Sequence, residues 1–352
     1  MKAAVYYGPG DIRVEDHAEP APTPENLIAK VRCCAICGTD LKLATIGYPR
    51  CHPPRIIGHE MVGEIVHVGS QVKGFTLGDR ITLATTVSCG QCAYCALGLG
   101  NICPNAKPIS YDFDGALAEF LAIPPQALAV GNVIRVPDSV PDESAALSEP
   151  LSCAINAHQL AGLKAGDKVL ILGSGPLAAL HAELAKAEGA AVVMVVGHSE
   201  VRLALMRGLR NVLVIDGNHQ DVAALVNEQT NGLGADVVIV CAPAREAMEK
   251  SIQYARKGGA VSLFASLPKG ASEIAFDSRT IHYGEIRIVG ASDSRPEHVE
   301  TAVRLMAEGK IDTRNIVTHR IKLADFHVGL DLMKNRQCLK VIVYPTGLKD
   351  ET

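Results

Sequence analysis

The chain predicts an α/β protein of two domains, one mostly β and the other a doubly wound parallel sheet. Three observations carry this. Beyond residue 152 short apolar runs alternate with helical stretches: Val169–Leu172, Val192–Val196, Val212–Ile215, Val237–Val240, Val261–Phe264 and Ile286–Val289. Strands apolar on both faces and separated by helices are the buried parallel strands of βαβ units. Between the first run and its helix lies Gly173-Ser174-Gly175-Pro176-Leu177-Ala178, a glycine turn of the phosphate-cradling kind. Before residue 150 the rhythm differs, with short runs broken by glycine and proline, and this part holds a loop with four closely spaced cysteines.

The first domain is expected over residues 1–151, with strands at Leu27–Val31, Gly63–Val68, Arg80–Leu83 and Ala118–Ile123. Pro137–Leu151 starts polar and turns helical, as a connection between two bodies does. The second domain is expected over 152–291, with helices at Leu177–Glu188, Glu200–Arg207, Val222–Thr230 and Arg245–Arg256. Helical periodicity at Glu297–Ala307 and Leu323–Lys334, then a strand at Lys340–Tyr344, suggests that residues 292–352 return to complete the first domain.

Composition narrows the class. A net charge of −4 spread without long runs offers no surface for nucleic acid. No apolar run reaches the ~18 residues of a membrane span. The opening MKAAVYYGPG has neither region of a signal peptide, and eleven cysteines without an export signal fit a reducing cytoplasm.

Cys89, Cys92, Cys95 and Cys103 follow the spacing C-x2-C-x2-C-x7-C. No helix or strand puts four thiols on one side at that spacing, whereas a loop wrapped around one tetrahedral zinc does. Two disulfides would need an oxidising compartment.

In the glycine turn, Gly173 permits the tight bend, Gly175 lets backbone approach a pyrophosphate, and Ala178 allows close helix–strand packing. Pro176 and Leu177 open the helix. The acidic residue that usually ends the second strand and grips the ribose is missing: Gly197, His198 and Ser199 stand there, with Arg202 following. Without that carboxylate a 2′-phosphate is not repelled, and these side chains offer donors and charge. The sequence leans to NADP(H), with NAD(H) the alternative.

Cys37, in CGTD, and His59-Glu60, in IIGHE, form a second candidate set for zinc, with Glu149 of SEPL as a fourth ligand, direct or through water. Three or fewer tight ligands leave an open position. An open zinc at a domain cleft facing a nicotinamide implies alcohol oxidation: the metal lowers the alcohol's pKa while hydride leaves for the cofactor.

Taken together, these motifs resemble the zinc-dependent medium-chain dehydrogenase/reductase superfamily over essentially the whole chain. Gly58–Ile81 (GHEMVGEIVHVGSQVKGFTLGDRI) is similar to its zinc signature, CGQCAYCALGLGNIC to its structural-zinc lobe and LILGSGPLA to its cofactor turn. SEPLSCAINAH and NIVTHRIKLADF resemble the polyol (sorbitol-like) branch and its sugar-phosphate relatives. The resemblance implies a GroES-like domain and a Rossmann domain, two zincs per chain, and a homodimer or homotetramer. It implies a catalytic zinc on Cys37, His59, Glu60 and Glu149, with Thr39 handing the alcohol proton toward solvent. It places Cys153 beside the nicotinamide, Cys241, Ala265, Ser266 and Ala291 along the cofactor cleft, and Lys340 near the pyrophosphate. Leu41–Pro53, Ser110–Gly115 and Ser292–Arg295 would line the substrate pocket. Two departures stand out: Lys42 sits where simple alcohol dehydrogenases carry a relay histidine, and Gly197 replaces the usual aspartate. The expected substrate is an alcohol of a polyol or sugar phosphate. Threonine-type or simple secondary alcohols are the alternative, and a non-enzymatic zinc and nucleotide binder a remote one.

Overall fold

Uninterrupted Val, Ile and Leu runs build the parallel sheet. In the computed structural model, which describes residues 1–347, six parallel strands lie in the order Leu213–Asp216, Val192–Gly197, Lys168–Leu172, Ala235–Val240, Ala255–Leu263 and Arg287–Gly290. Val169, Leu170, Ile171, Val238 and Ile239 are all inaccessible to solvent, which is why these runs show no polar alternation. The winding reverses at Lys168–Leu172, and ligands of open α/β sheets bind at the carboxyl ends of strands beside such a reversal.

The chain divides into two compact units, Cys153–Ser292 and a second made of Met1–Ser152 with Asp293 onward. In the latter, a sheet runs in the order Val133–Arg135, Arg80–Leu83, Glu60–Val68, Leu27–Ala35, Lys340–Tyr344 and Val317–Lys322, with Phe120–Ile123 also pairing with Leu27–Ala35. The Leu27 strand runs four residues beyond its expected end, and the Glu60 strand starts three residues early. These extensions position the chemistry. Register pairs Ala35 with Glu60 on one side and with Ile342 on the other, so the last strand lies against the same edge as the His59-Glu60 pair.

Several elements depart from the sequence expectation. Gly38–Ile46 is a helix that buries only Asp40 and Leu43, so it shows no apolar stripe to read. Ser278–Gly284 is a further short helix, and the expected helix to Arg256 stops at Tyr254, where the next strand begins at once. Among the described residues no helix is long and apolar enough to cross a membrane.

Candidate active site and nucleotide turn

The four-thiol loop closes on itself. Cys89 and Cys103 sulfurs stand 3.5 Å apart, Cys92 and Cys95 3.6 Å, Cys92 and Cys103 3.7 Å, and Cys89 and Cys95 3.9 Å. Every one is a free thiol, far from disulfide length. Four sulfurs each about 2.3 Å from a single ion would sit about 3.8 Å apart, so the loop has the dimensions of a zinc tetrahedron. The backbone N–H of Gln91, with that of Cys92, draws the Cys89 thiol down to about 6, toward the thiolate such a site needs.

Cys37, His59 and Glu60 bring one ligand atom each within 4.8 Å of one another. Cys37 caps the helix Gly38–Ile46, and its N–H donates to Asp40 Oδ2 at 2.8 Å, which ties the loop to the helix start. Gly58, at φ 91°, lets the chain pass Leu117: a Cβ there would meet the Leu117 backbone nitrogen at 2.8 Å. That close approach sets His59 and Glu60 in place. Burial works against charge on His59, yet the neighbouring Cys37 thiol, with Glu149 and Asp40, holds the imidazole well above its ordinary value. Thr39 follows on the same helix and shares a hydrogen bond with Tyr111, whose ring lies 4.8 Å from that of Tyr48.

Lys340 is 1% exposed, with its ammonium on both Glu60 oxygens, one at 2.5 Å. Its Nζ also donates to the Ile36 carbonyl at 3.4 Å. The cause is the strand pairing: joining Lys340–Tyr344 to Leu27–Ala35 carries residue 340 to Glu60, and a buried ammonium needs a counter-charge.

Glu149 heads the helix Ser148–Ala161 and accepts from Thr85 Oγ1 at 3.2 Å. Burial, opposed by His59 and reinforced by Glu60 and Asp293, pushes its carboxyl up to about 7. Asp293 lies within the Ser292–Arg295 stretch expected to line the substrate pocket, but the sequence reading did not single it out as an acidic partner of Glu149. Its Oδ2 accepts from Thr86 Oγ1 and its Oδ1 from the Ser294 N–H at 2.8 Å. Lying 144 positions from Glu149, it carries no local signal. Asp40, by contrast, could have been found from its place three positions after Cys37, the spacing of a capping box, but the sequence reading did not single it out. A thiol, an imidazole and several carboxylates around a single ammonium form a donor set short of positive charge, and a divalent cation of zinc's preferences fits it.

In the other unit, Gly173 follows its strand at φ 128°, where a Cβ would stand 3.1 Å from the Ala242 nitrogen. Gly175 precedes the helix Pro176–Ala187, in which Ala178 is buried and Leu177 half-buried. Cys241, Ala265 and Ala291 sit where the strands Ala235–Val240, Ala255–Leu263 and Arg287–Gly290 end, with Ser266 exposed next to Ala265. At Gly197 a Cβ would fall 2.4 Å from Ser174 Oγ, so the serine in the glycine turn occupies the space an aspartate would need. His198 is exposed and joined to Asn218 at 3.0 Å; Ser199 caps the following helix by accepting from the Arg202 N–H. The Arg202 guanidinium lies 3.7 Å from the Cβ position of Gly175, over the turn.

The profile of the alcohol dehydrogenase GroES-like domain matches residues 23–138, and that of the zinc-binding dehydrogenase matches 176–308. The chain is 34% identical to the sorbitol dehydrogenase of Halalkalibacterium halodurans over 98% of its length and 99% of the relative's. To the L-threonine 3-dehydrogenase of Pyrococcus furiosus it is 35% identical over 97% of both chains. A zinc-binding-dehydrogenase-type structure from Sinorhizobium meliloti 1021, bound to NADP, superposes with a TM-score of 0.89 at 31% identity, over 98% of this chain and 99% of that one. With such similarity along its whole length and the ligand clusters in place, the chain belongs to the zinc-binding medium-chain alcohol dehydrogenases, in the branch that holds the sorbitol dehydrogenases.

Proposed function

We propose that the protein transfers hydride between a secondary alcohol of a polyol or sugar phosphate and NAD(P), using a zinc held by Cys37, His59 and Glu60 with Glu149 as fourth partner. The convergence of Cys37, His59 and Glu60 within 4.8 Å carries this reading. Zinc bound there supplies a Lewis acid that lowers the pKa of a substrate hydroxyl, and the nicotinamide supplies the hydride acceptor. The chain's own residues do the rest. Asp40 and Lys340 hold Cys37 and Glu60 in position. Thr39 takes the alcohol proton on its Oγ and passes its own outward. Lys42 stands where a longer relay would need histidine, so the proton leaves through water.

A second zinc on Cys89, Cys92, Cys95 and Cys103 is structural in this reading. NADP(H) is the preferred cofactor: Gly197 has no carboxylate, Arg202 lies over the glycine turn, and the Sinorhizobium meliloti relative holds NADP. The catalytic body comprises residues 1–151 and 292–352, the nucleotide body 152–291, and the enzyme is a cytoplasmic homodimer or homotetramer. The Pyrococcus furiosus relative supports threonine-type amino alcohols as the second substrate reading.

The test is initial-rate reduction of NAD and, separately, NADP with polyols, polyol phosphates, threonine and simple secondary alcohols. Cys37→Ser and His59→Ala should each lower turnover by at least a thousandfold while the fold persists. Unchanged turnover in either variant would remove the assigned zinc site.

A further inference from the structure

Between its two glycines the nucleotide turn carries Ser174, a polar side chain without a protein partner. Ser174 is 8% exposed, and its hydroxyl makes no hydrogen bond among the described residues. A buried hydroxyl left unpaired costs free energy, and a ligand that accepts from it recovers that cost. The Oγ stands 2.4 Å from where a Cβ on residue 197 would sit, and Leu203 Cδ2, at 2.9 Å, closes the same space.

The other polar side chains at the end of that strand have partners of their own. His198 is joined to Asn218, and a Cβ on Gly217 would meet its ring at 2.4 Å. Ser199 caps the helix Glu200–Met206. Asp216, in register with Gly197 on the next strand, accepts from the Asn218 N–H at 3.0 Å and meets His219 Nδ1 at 2.8 Å. The space beside Gly197 is entered by a hydroxyl, which can donate, where a carboxylate could only accept. The Arg202 guanidinium, 3.7 Å from the Cβ position of Gly175, puts a positive charge over the same turn. The helix Pro176–Ala187 opens from it, and its N-terminus adds to the attraction for phosphate.

Resting on the reading of an NAD(P)-linked enzyme, we propose that Ser174 sets cofactor choice by donating a hydrogen bond to a phosphate on the 2′-oxygen of the adenosine ribose, with Arg202 as the neutralising charge. A hydroxyl also bonds an unphosphorylated ribose. Hydrogen bonds to a charged oxygen are roughly twice as strong as neutral ones, so the phosphorylated ribose gains more.

The experiment is calorimetric titration of the zinc-loaded full-length protein with AMP and with adenosine 2′,5′-bisphosphate, which reads binding without turnover. The two ligands share adenosine and the 5′-phosphate and differ in the 2′-phosphate alone. The parent should bind the bisphosphate at least tenfold more tightly. Ser174→Ala should weaken the bisphosphate by about tenfold and AMP by less than threefold. Ser174→Cys, which keeps the volume and weakens the donor, should shift the same ratio if Ser174→Ala folds poorly. Arg202→Ala should also weaken the bisphosphate selectively and flatten the salt dependence of its binding. An equal loss on both ligands, or an unchanged bisphosphate affinity in Ser174→Ala and Ser174→Cys, overturns the role of Ser174 and leaves the preference for NADP(H) standing. A parent that binds AMP as tightly as the bisphosphate removes that preference and the role of Ser174 together, with hydride transfer to NAD untouched. No binding of AMP, the bisphosphate or NADPH by the parent removes the nucleotide site itself.

Discussion

Replacing Lys340 by methionine isolates one buried charge. Lys340 is 1% exposed and Glu60 fully buried, and the ammonium bonds both carboxylate oxygens. Methionine fills much of the same volume but leaves Glu60 without that partner. Breaking a buried pair by removing one member costs about 3–5 kcal/mol, because the remaining charge is uncompensated. For a body of about 210 residues each kcal/mol lowers Tm by about 2–4 °C, so Lys340→Met should melt about 6–20 °C lower. The check is urea unfolding of the parent, Lys340→Met, Glu60→Gln and the double variant, followed by tryptophan-free probes such as far-UV circular dichroism, since the chain has no tryptophan. In the double variant neither full charge remains, and it should recover more than half of the loss, giving a coupling well above the ~0.5 kcal/mol seen for independent sites. A Lys340→Met variant within about 1 kcal/mol of the parent, or strictly additive costs, would show that the strand pairing rather than the ion pair holds this end of the sheet.

Three further outcomes are expected. Cys103→Ser should lower bound zinc by one ion per chain, measured by metal analysis, and leave the metal at Cys37 in place; parental zinc content in the variant would refute the four-thiol assignment. Gly197→Asp alone should bind either nicotinamide cofactor poorly, because Ser174 Oγ lies 2.4 Å from the new Cβ. Adding Ser174→Gly removes the main obstruction, leaving Leu203 Cδ2 at 2.9 Å to turn aside, and should move preference toward NAD, read as the ratio of kcat/KM values; no shift in that ratio would count against the reasoning. His181 is buried, and burial, with the neighbouring His158, holds its pKa well below the ordinary value. The folded protein therefore refuses a proton that the unfolded chain binds below about pH 6.5. Stability should fall on acidification through that point with a contribution of about 1.4 kcal/mol per pH unit, and His181→Phe should flatten this limb. An equal slope in the variant would mean that other groups set the acid limb.

Much of the candidate site was legible because it is local. The thiol spacing from Cys89 to Cys103, the GHE triplet and the glycine turn each place their atoms through a few consecutive residues, so the residue string carries the geometry. The helix Gly38–Ile46 was not legible, since it buries one apolar side chain and its Cys37–Asp40 cap is its only local mark. Gly197 could be read as a missing carboxylate, but the space a side chain would need there is filled by Ser174, twenty-three positions away, and by Leu203.

The sequence by itself determined the order of the elements, the two candidate ligand clusters and the parallel sheet, through apolar runs and spacings that act within a turn or a strand. Only the tertiary structure decided the partners of the buried charges. Lys340 reaches Glu60 because the last strand pairs with the strand that ends before Cys37, and Asp293 reaches Glu149 because a threonine pair holds both. These contacts span 280 and 144 positions. The first gains its energy from burying a charge against its complement, the second from threonine hydroxyls that each donate to one of two like-charged carboxyl groups, and chain-local pattern holds no trace of which distant residue the fold will bring.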